Sequence, residues 1–370
     1  MEEWQRLLAD GVNSVAQLKA EHPEIDPKIA AEIAKKFRIR ANRYWMDLAE
    51  RSGPALLKQI LPDERELEDE EDTLEDPLAE DAMSPVPNLT HRYPDRVLFL
   101  VCHQCAFYCR YCTRKRKVSN AERISRKNLQ QGIDYIAAHP EVRDVILSGG
   151  DPLMLKDEEL LDVVAKVRAI PHVEIIRIGT RMPSALPQRV TLKLVRALKR
   201  FHPIWMMVHF NHPDEVTPEA KACLERLADH GFPLMNQAVL LKGVNDDPDV
   251  LKRLFHKLLM ARCKPYYLYQ ADMVKGTDYF RTPVQKGLEI MDALRGWTSG
   301  LAVPYYVIDA PGGGGKIPIL PNYIVRRSNK QWVIRNYKGE IYRYPEVQVP
   351  AASSGFPAEL VPADAATPGH

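Results

Sequence analysis

Short runs of β-branched and aromatic residues alternate with amphipathic helical segments from Arg96 onward. The runs are Val97 to Val101, Val145 to Leu147, Val173 to Ile178, Ile204 to Phe210, Leu234 to Leu241, Tyr266 to Tyr269 and Tyr305 to Ile308. Strands that alternate with helices form a parallel sheet with right-handed crossovers. The sequence therefore predicts an α/β fold, and we expect a partial or complete parallel (β/α) barrel rather than an open doubly wound sheet.

Polar or glycine-rich residues follow these predicted strands, where a parallel barrel gathers its chemistry. In chain order they are a cysteine loop, Ser148-Gly149-Gly150-Asp151, Gly179-Thr180-Arg181, His209 with His212, Asn236 with Gln237, Asp272, and Asp309 through Lys316. Because the C-terminal ends of parallel strands meet at one edge, we expect all of these residues to face one cavity.

Five regions follow from the change in pattern along the chain. They are a helical N-terminal region (1–62), an acidic connector leading into the barrel (63–95), the barrel (96–310), a lysine loop with a C-terminal hairpin (311–345), and a disordered tail rich in Pro and Ala (346–370). The acidic run from Asp63 to Asp76 predicts a solvated connector, because its like charges repel one another and carry no ligand spacing.

Composition excludes several classes of protein. The chain has 370 residues and a formal net charge of +2, which argues against a nucleic acid as partner. It has neither an N-terminal signal peptide nor an apolar run long enough to cross a bilayer, so we expect a soluble, cytoplasmic protein. Six cysteines are too few for a disulfide scaffold.

Three cysteines, Cys105, Cys109 and Cys112, have C-x3-C-x2-C spacing. Three thiolates leave one iron of a four-iron cluster open to bind a small molecule. The alternatives are a zinc knuckle, which prefers paired C-x2-C units with His, and chance clustering of structural cysteines. We interpret Cys102 as a strand residue. This spacing resembles that of the radical S-adenosylmethionine enzymes.

Two glycine-rich turns could each bring backbone or side chain to a ligand. Gly149-Gly150-Asp151 allows close backbone approach, although an ordinary turn with Asp151 as a helix N-cap is the alternative. The run from Gly312 to Lys316 is not a phosphate loop, because Ile317 stands where Ser or Thr is required. It could carry an amine into a cavity, where the amine could bind an aldehyde cofactor covalently. A flexible loop with a solvated lysine is the alternative.

From Asp76 to Pro345 the chain resembles the lysine 2,3-aminomutase family, whose members use both S-adenosylmethionine and pyridoxal phosphate. The stretches that carry the resemblance are Asp76-Pro77-Leu78, Thr90 to Arg96, the cysteine loop with Thr113-Arg114, Ser148 to Leu153, His209 to Pro213, Tyr269 to Asp272, Phe280 to Pro283 and Asp309 to Lys316.

The resemblance implies three cofactors and their contacts. It assigns a 4Fe-4S cluster to Cys105, Cys109 and Cys112; S-adenosylmethionine to Ser148, Gly149, Gly150, Asp151, Arg181, His209 and Gln237; and pyridoxal phosphate to Lys316, Arg92, Tyr93 and Arg96. Two arginines flanking a tyrosine suit a phosphate, because guanidinium groups bind it bidentately. Taken alone they could equally be surface charges.

The resemblance also implies the substrate. Arg114 would meet the substrate carboxylate, while Asp272 and Asp309 would bind the distal ammonium of lysine, an acidic pair that the related glutamate enzymes lack. The alternative is that each acid caps a turn. The implied reaction is interconversion of L-lysine and L-β-lysine through an imine with pyridoxal phosphate, supported by an external one-electron reductant such as flavodoxin or ferredoxin. Arginine, glutamate or a protein-bound lysine as substrate, and a non-catalytic iron-sulfur redox sensor, remain alternatives.

The chain departs from the family at a zinc site that some members form between subunits. Those members carry a cysteine soon after a Val-Asn-Asp run and three more near the C-terminus. Here Asp247 follows Val244-Asn245-Asp246, and no cysteine occurs after Cys263. We therefore expect no stoichiometric structural zinc, and a homo-oligomer held by it is in doubt.

Overall fold

Seven parallel strands form the centre of the fold in a computed structural model that describes residues 1–68, 71–118 and 123–347. The sheet consists of β1 (Leu89–Tyr93), β2 (Arg96–Cys102), β3 (Asp144–Gly149), β4 (Ile175–Thr180), β5 (Ile204–Val208), β6 (Leu234–Leu240), β7 (Cys263–Gln270), β8 (Tyr305–Ala310) and β9 (Gly315–Pro318). Its strands are neighbours in chain order, parallel from β2 to β8, with β1 and β9 antiparallel at the edges. The predicted barrel is confirmed.

The two edges of the sheet meet through a side chain. Within the described residues no backbone ladder joins β1 to β9, so the barrel is partial. The backbone N–H of Lys316 in β9 donates to the Tyr93 hydroxyl at the end of β1, at 3.0 Å. Gly315 has φ +85°, and a Cβ there would lie 3.0 Å from the same oxygen. Glycine therefore permits the close approach of the two edges.

Alternation along the strands separates the core from the cavity. In β4, Ile176 and Ile178 are fully buried in the hydrophobic core, while Arg177 and Gly179 line an internal cavity. Successive side chains of a strand point to opposite faces, so every second residue of the parallel strands is available to a ligand inside the barrel.

The N-terminal region is helical, as predicted, and packs on the cysteine loop. Its helices are α1 (Glu3–Ala9), α2 (Val15–Glu21), α3 (Pro27–Lys36), α4 (Arg43–Ser52) and α5 (Pro54–Leu57). Trp45 of α4 stacks on Phe107 with ring centroids 4.5 Å apart. The loop backbone donates to this region from Tyr108 and from Arg110, the latter to the Gln59 carbonyl at 2.9 Å. The helices thus fix the conformation of the loop.

Seven α-helices of the described residues lie between the strands of the barrel in chain order. They are α6 (Arg126–Ala138), α7 (Asp157–Arg168), α8 (Met182–Ala185), α9 (Leu192–Lys199), α10 (Pro218–Asp229), α11 (Pro248–Met260) and α12 (Val284–Leu294). Asp247 accepts hydrogen bonds from the N–H groups of Asp249 and Val250, at 2.8 and 3.1 Å. Asp247 is therefore the N-cap of α11.

The acidic connector is not wholly solvated, and that prediction is wrong at Glu66. This carboxylate is 4% exposed and accepts two hydrogen bonds from the fully buried Arg110, at 2.7 and 2.6 Å. Lys115 lies 3.0 Å away. Buried charges require a partner, and these ion pairs anchor the connector to Arg110 and Lys115. Residues 69 and 70 of the acidic run lie outside the described residues.

A second compact unit begins at Pro321, after a first unit that spans Met1–Leu320. It contains an antiparallel three-stranded sheet of β10 (Ile324–Arg327), β11 (Gln331–Arg335) and β12 (Ile341–Pro345), one strand more than the predicted hairpin. Most of the predicted disordered tail, residues 348–370, lies outside the described residues. No helix in the described part of the chain is long and apolar enough to cross a membrane.

Candidate active site

One cavity of about 610 Å³ opens inside the barrel, and every site residue predicted from the sequence lines it. These residues are Arg92, Tyr93, Arg96, Cys105, Cys109, Cys112, Arg114, Ser148, Gly149, Gly150, Asp151, Arg181, His209, Gln237, Asp272, Asp309 and Lys316. They come from loops and strands distributed around the whole sheet. The expectation that the strand ends share one cavity is confirmed for this set.

Other residues expected at the cavity do not line it, namely Asn236, His212 and Ala310 to Gly315. The Asn236 side chain is fully buried and bonds the backbone of Phe210, accepting from its N–H at 2.9 Å and donating to its carbonyl. His212 accepts at 3.3 Å from the N–H of Asp214 in the short helix that follows. In both cases the side chain satisfies local backbone groups, so its position near a strand end is structural.

The cysteine loop contributes three thiols to the cavity. Cys105, Cys109 and Cys112 all line it, whereas Cys102 ends β2 and accepts from the Gln104 N–H at 3.3 Å. The interpretation of Cys102 as a strand residue is confirmed. Burial raises the pKa of Cys112 to about 11 and that of Cys105 well above its usual value. Thiolates in such a place require a strongly positive partner, and an iron cluster provides one.

Single-ion coordination is not favoured at these cysteines. Among the described residues, no group of three or more His, Cys, Asp or Glu side chains is arranged to hold one metal ion. Phe107 and Tyr108 within the loop are 2% and 6% exposed, so they would shield a cluster at these cysteines from water. The C-x3-C-x2-C spacing lacks the paired C-x2-C units of a zinc knuckle and so favours a multinuclear cluster.

Gly149 and Gly150 allow the turn after β3 to pack closely against the backbone that follows β2. The N–H of Gly150 donates to the Cys102 carbonyl at 2.6 Å, and the N–H of Asp151 to the Gln104 carbonyl at 2.7 Å. A Cβ at Gly149 would lie 2.0 Å from the Cys102 oxygen, and one at Gly150 would lie 2.3 Å from the Gln104 oxygen. Both positions therefore require glycine, and the two N–H groups are used by the cysteine loop.

Asp151 joins this turn to the next strand end. Its buried carboxylate accepts from the Thr180 hydroxyl at 2.8 Å and from the Arg181 N–H at 2.8 Å. It also accepts from the Leu153 N–H at 3.0 Å, so the predicted N-cap role is present as well. The carboxylate fixes the relative position of two loops that line the cavity.

His209 is neutral in this environment. Burial, and then the positive charge of Arg181, lower its pKa well below the usual value for histidine. Its Nε2 lies 3.0 Å from the Tyr111 hydroxyl, which also accepts from the Asn211 amide at 2.7 Å. His209 therefore offers the cavity a neutral, hydrogen-bonding ring.

Lys316 lies opposite Asp309 on the antiparallel pair of β8 and β9. Its Nζ is 3.0 Å from the Asp309 carboxylate and 5.3 Å from the centre of the Tyr269 ring. The alternative of a flexible loop with a solvated lysine is therefore wrong, because β9 directs this amine into the cavity. A lysine amine in this position can hold an aldehyde cofactor.

Arg92 is the best candidate for a phosphate contact. Its side chain is 11% exposed, and it donates to the Leu78 carbonyl at 2.6 Å. Its Nε is buried with no hydrogen-bond partner among the described residues. A buried donor without a partner is costly, and a phosphate oxygen would satisfy it. Nearby, Arg96 stacks on Tyr93 with its guanidinium 3.8 Å from the ring centre.

Another part of the cavity carries one paired arginine and two acids. Arg114 donates to the buried Glu80 from Nη2, at 2.7 Å to Oε1, and from Nε, at 3.0 Å to Oε1 and 3.1 Å to Oε2. Asp272 accepts from the Thr113 hydroxyl at 2.9 Å. Burial, followed by the charge of Asp309, raises the pKa of Asp272 to about 6. The side chains of the two acids face the cavity rather than cap a turn, so a cation there would relieve their repulsion.

Several residues that line the cavity, or that contact residues lining it, were not predicted from the sequence. Arg177 lines the cavity and pairs with Asp144 at 2.9 Å; its signal was a charge among the isoleucines of a buried strand. Glu80 has no such signal, because it lies in an acidic stretch. Gln59 and Glu215 contact Arg181 from distant parts of the chain.

Comparisons with known proteins agree with this geometry. Residues 99–254 match the Radical SAM superfamily, and residues 291–366 match the family described as Lysine-2,3-aminomutase. The chain is 48% identical to L-lysine 2,3-aminomutase of Fusobacterium nucleatum over 349 residues, 93% of this chain and 82% of the relative. It is 52% identical to the same enzyme of Methanococcus maripaludis, over 87% of this chain and 76% of the relative. It is 43% identical to glutamate 2,3-aminomutase of Clostridioides difficile, over 84% and 74%.

Proposed function

We infer the function of this cavity from the family of the chain. The chain belongs to the lysine 2,3-aminomutase family of radical S-adenosylmethionine enzymes. The enzyme is an isomerase that interconverts L-lysine and L-β-lysine by moving the α-amino group to the β-carbon. The observation that carries this proposal is the placement of Asp272 and Asp309 in one cavity with the cysteine loop and Lys316.

Three groups of residues hold the cofactors. Cys105, Cys109 and Cys112 bind the cluster; Lys316 holds pyridoxal phosphate, with Arg92, Tyr93 and Arg96 around it; and Ser148 to Asp151, Arg181, His209 and Gln237 surround S-adenosylmethionine. When bound, the cluster and S-adenosylmethionine supply a carbon radical, and pyridoxal phosphate supplies the carbonyl group that carries the migrating nitrogen. An external one-electron reductant, such as flavodoxin or ferredoxin, delivers the electron.

Recognition of lysine rests on charges at both ends of the substrate. Asp272 and Asp309 accept charge-assisted hydrogen bonds from the distal ammonium, and Arg114 donates to the carboxylate. The buried Glu80 holds Arg114 by three hydrogen-bond contacts, which fix the direction of its guanidinium. An anionic side chain would meet two carboxylates in a poorly hydrated pocket, so the same acids reject glutamate.

The chain also orders Lys316 before the substrate arrives. Asp309 lies 3.0 Å from the Lys316 amine and holds it in place in the cavity when it is not engaged. Tyr93 accepts from the Lys316 N–H and fixes the backbone of β9. These contacts hold the amine at one place in the cavity, and positioning of this kind lowers the entropy cost of reaction.

The experiment is an anaerobic assay of protein reconstituted with iron, sulfide and pyridoxal phosphate. S-adenosylmethionine and a reductant are added with L-lysine, L-arginine, L-glutamate or a lysine-containing peptide. We expect β-lysine from L-lysine and little product from the other three. Faster turnover of another substrate would overturn the lysine assignment. A visible spectrum of a cluster without bound pyridoxal phosphate, together with no turnover of any substrate, would favour a redox sensor.

A further inference from the structure

Arg181 contacts a sulfur that the proposed function assigns to the cluster. Its Nη1 donates to the Cys109 Sγ at 2.9 Å and also to the Tyr111 hydroxyl. Its Nη2 donates to the Gln59 side-chain oxygen at 2.6 Å and lies 3.4 Å from both oxygens of Glu215. Both terminal nitrogens of the guanidinium are therefore occupied by the protein, and one of them is directed at a cysteine.

The surroundings of Arg181 make its charge effective at short range. The guanidinium lies 4.9 Å from the ring centre of Trp45, 4.7 Å from that of Phe107 and 5.5 Å from that of Tyr111. The Arg181 side chain is 10% exposed, and Glu215 is fully buried. Water does not screen charges in such a place as it does at a surface, so the cation acts strongly on neighbouring atoms.

A positive donor at a cluster sulfur has a predictable effect. Hydrogen bonds to the sulfurs, net charge and solvent exposure set the reduction potential of an iron-sulfur cluster. Reduction adds one electron, so the reduced cluster is more negative and is stabilised more by a nearby cation than the oxidised cluster is. The carboxylate of Glu215 opposes this effect, because it lies against the same guanidinium.

We propose that Arg181 raises the reduction potential of the cluster through its hydrogen bond to Cys109, and that Glu215 limits the increase. This inference rests on the proposed function, because it needs the cluster at Cys109. Arg181 acts through the cysteine and is a positioning residue for the electron transfer from the external one-electron reductant. Glu215 also accepts from the Ser184 hydroxyl at 2.7 Å and from the Asn211 N–H, which hold the carboxylate in place.

The test is a redox titration of the reconstituted protein, followed by electron paramagnetic resonance of the reduced cluster without S-adenosylmethionine. Arg181→Met keeps an extended side chain between the aromatic rings and removes the charge. We expect the equilibrium constant for one-electron reduction to fall roughly tenfold, which corresponds to about 59 mV for a one-electron couple. Arg181→Lys keeps the charge and should show a smaller decrease.

Two further variants separate an electrostatic role from a structural one. Glu215→Gln removes a negative charge and should raise the potential, opposite to the effect of Arg181→Met. Arg189→Met is the matched control, because Arg189 is 1% exposed and bonded to the Leu153 carbonyl but does not line the cavity. Its potential should equal that of the wild type.

The outcomes distinguish this inference from the proposed function. Iron content is measured for each protein. A wild-type protein that holds no cluster would defeat the proposed function itself. If Arg181→Met holds a normal cluster with an unchanged reduction potential, only the role of Arg181 is defeated. The same follows if the potential shifts in the same direction in Glu215→Gln as in Arg181→Met. If Arg181→Met loses its iron, the reduction potential of Glu215→Gln decides. A potential above that of the wild type supports the inference, and an unchanged or lower potential overturns it.

Discussion

Substitution of Asp309 by Asn tests how the cavity selects its substrate. The change keeps the shape of the side chain and removes a carboxylate that is 7% exposed and lies 3.0 Å from Lys316 and 3.6 Å from Arg92. If this carboxylate binds the distal ammonium of lysine, its loss removes a charge-assisted hydrogen bond worth about 1.5 to 3 kcal/mol. We therefore expect kcat/KM for lysine to fall roughly tenfold to a hundredfold.

The assay compares lysine with norleucine, which has no distal charge. Pyridoxal phosphate content is measured in parallel and should be retained, because Lys316, Arg92 and Arg96 remain. Activity on norleucine should fall much less than activity on lysine. Asp144→Asn is the matched control, since it removes a cavity carboxylate that pairs with Arg177 and should leave the selectivity ratio unchanged. Equal losses for lysine and norleucine in Asp309→Asn would refute the role of this acid in recognition.

Three further predictions concern separate parts of the cavity. Cys102→Ser should keep the iron content and the cleavage of S-adenosylmethionine, whereas Cys105→Ser should lose both; the reverse result would mean that the ligands are assigned wrongly. Asp272 has a pKa of about 6 and must be ionised to bind an ammonium, so KM for lysine should rise as the pH falls through 6. A flat profile, or the same profile in Asp272→Asn, would contradict this. Glu80→Gln weakens the clamp on Arg114 and should raise KM for lysine more than it lowers kcat, whereas a loss in kcat alone would assign Glu80 another role.

The barrel and the residues at the C-terminal ends of its strands could be predicted from the sequence, because their signals are local. A run such as Val145 to Leu147 is apolar enough to identify a buried strand, and the residues after it then lie at the C-terminal edge of the sheet. This rule predicts that Ser148, Asp272 and Lys316 share one cavity, and in the structure they do. It failed at Asn236 and His212, because position near a strand end does not determine which face a side chain occupies.

The edge strands could not be predicted, for a different reason. β1 contains Thr90, His91 and Arg92, and β9 begins with Gly315, so neither has the apolar pattern of a buried strand. Each is defined by pairing with a neighbour already in the sheet. The conformation that directs Lys316 into the cavity therefore depends on tertiary contacts.

Ion pairs between residues far apart in the chain could not be predicted from the sequence either. Glu80 and Arg114 are separated by 34 residues, as are Arg181 and Glu215. Nothing in the local sequence distinguishes Glu80 from its solvated acidic neighbours. A buried charge requires a partner, but the partner can be identified only when the fold brings the two together.

Isotope labelling follows the migrating nitrogen and shows whether this chain moves the α-nitrogen of lysine to its β-carbon. L-lysine labelled with nitrogen-15 at the α position is incubated anaerobically with the reconstituted protein, S-adenosylmethionine and a reductant. Nuclear magnetic resonance of the product then locates the label. We predict nitrogen-15 bonded to C3 of β-lysine. Label that stays at C2 while S-adenosylmethionine is consumed, or label released as ammonia, would contradict the proposed function.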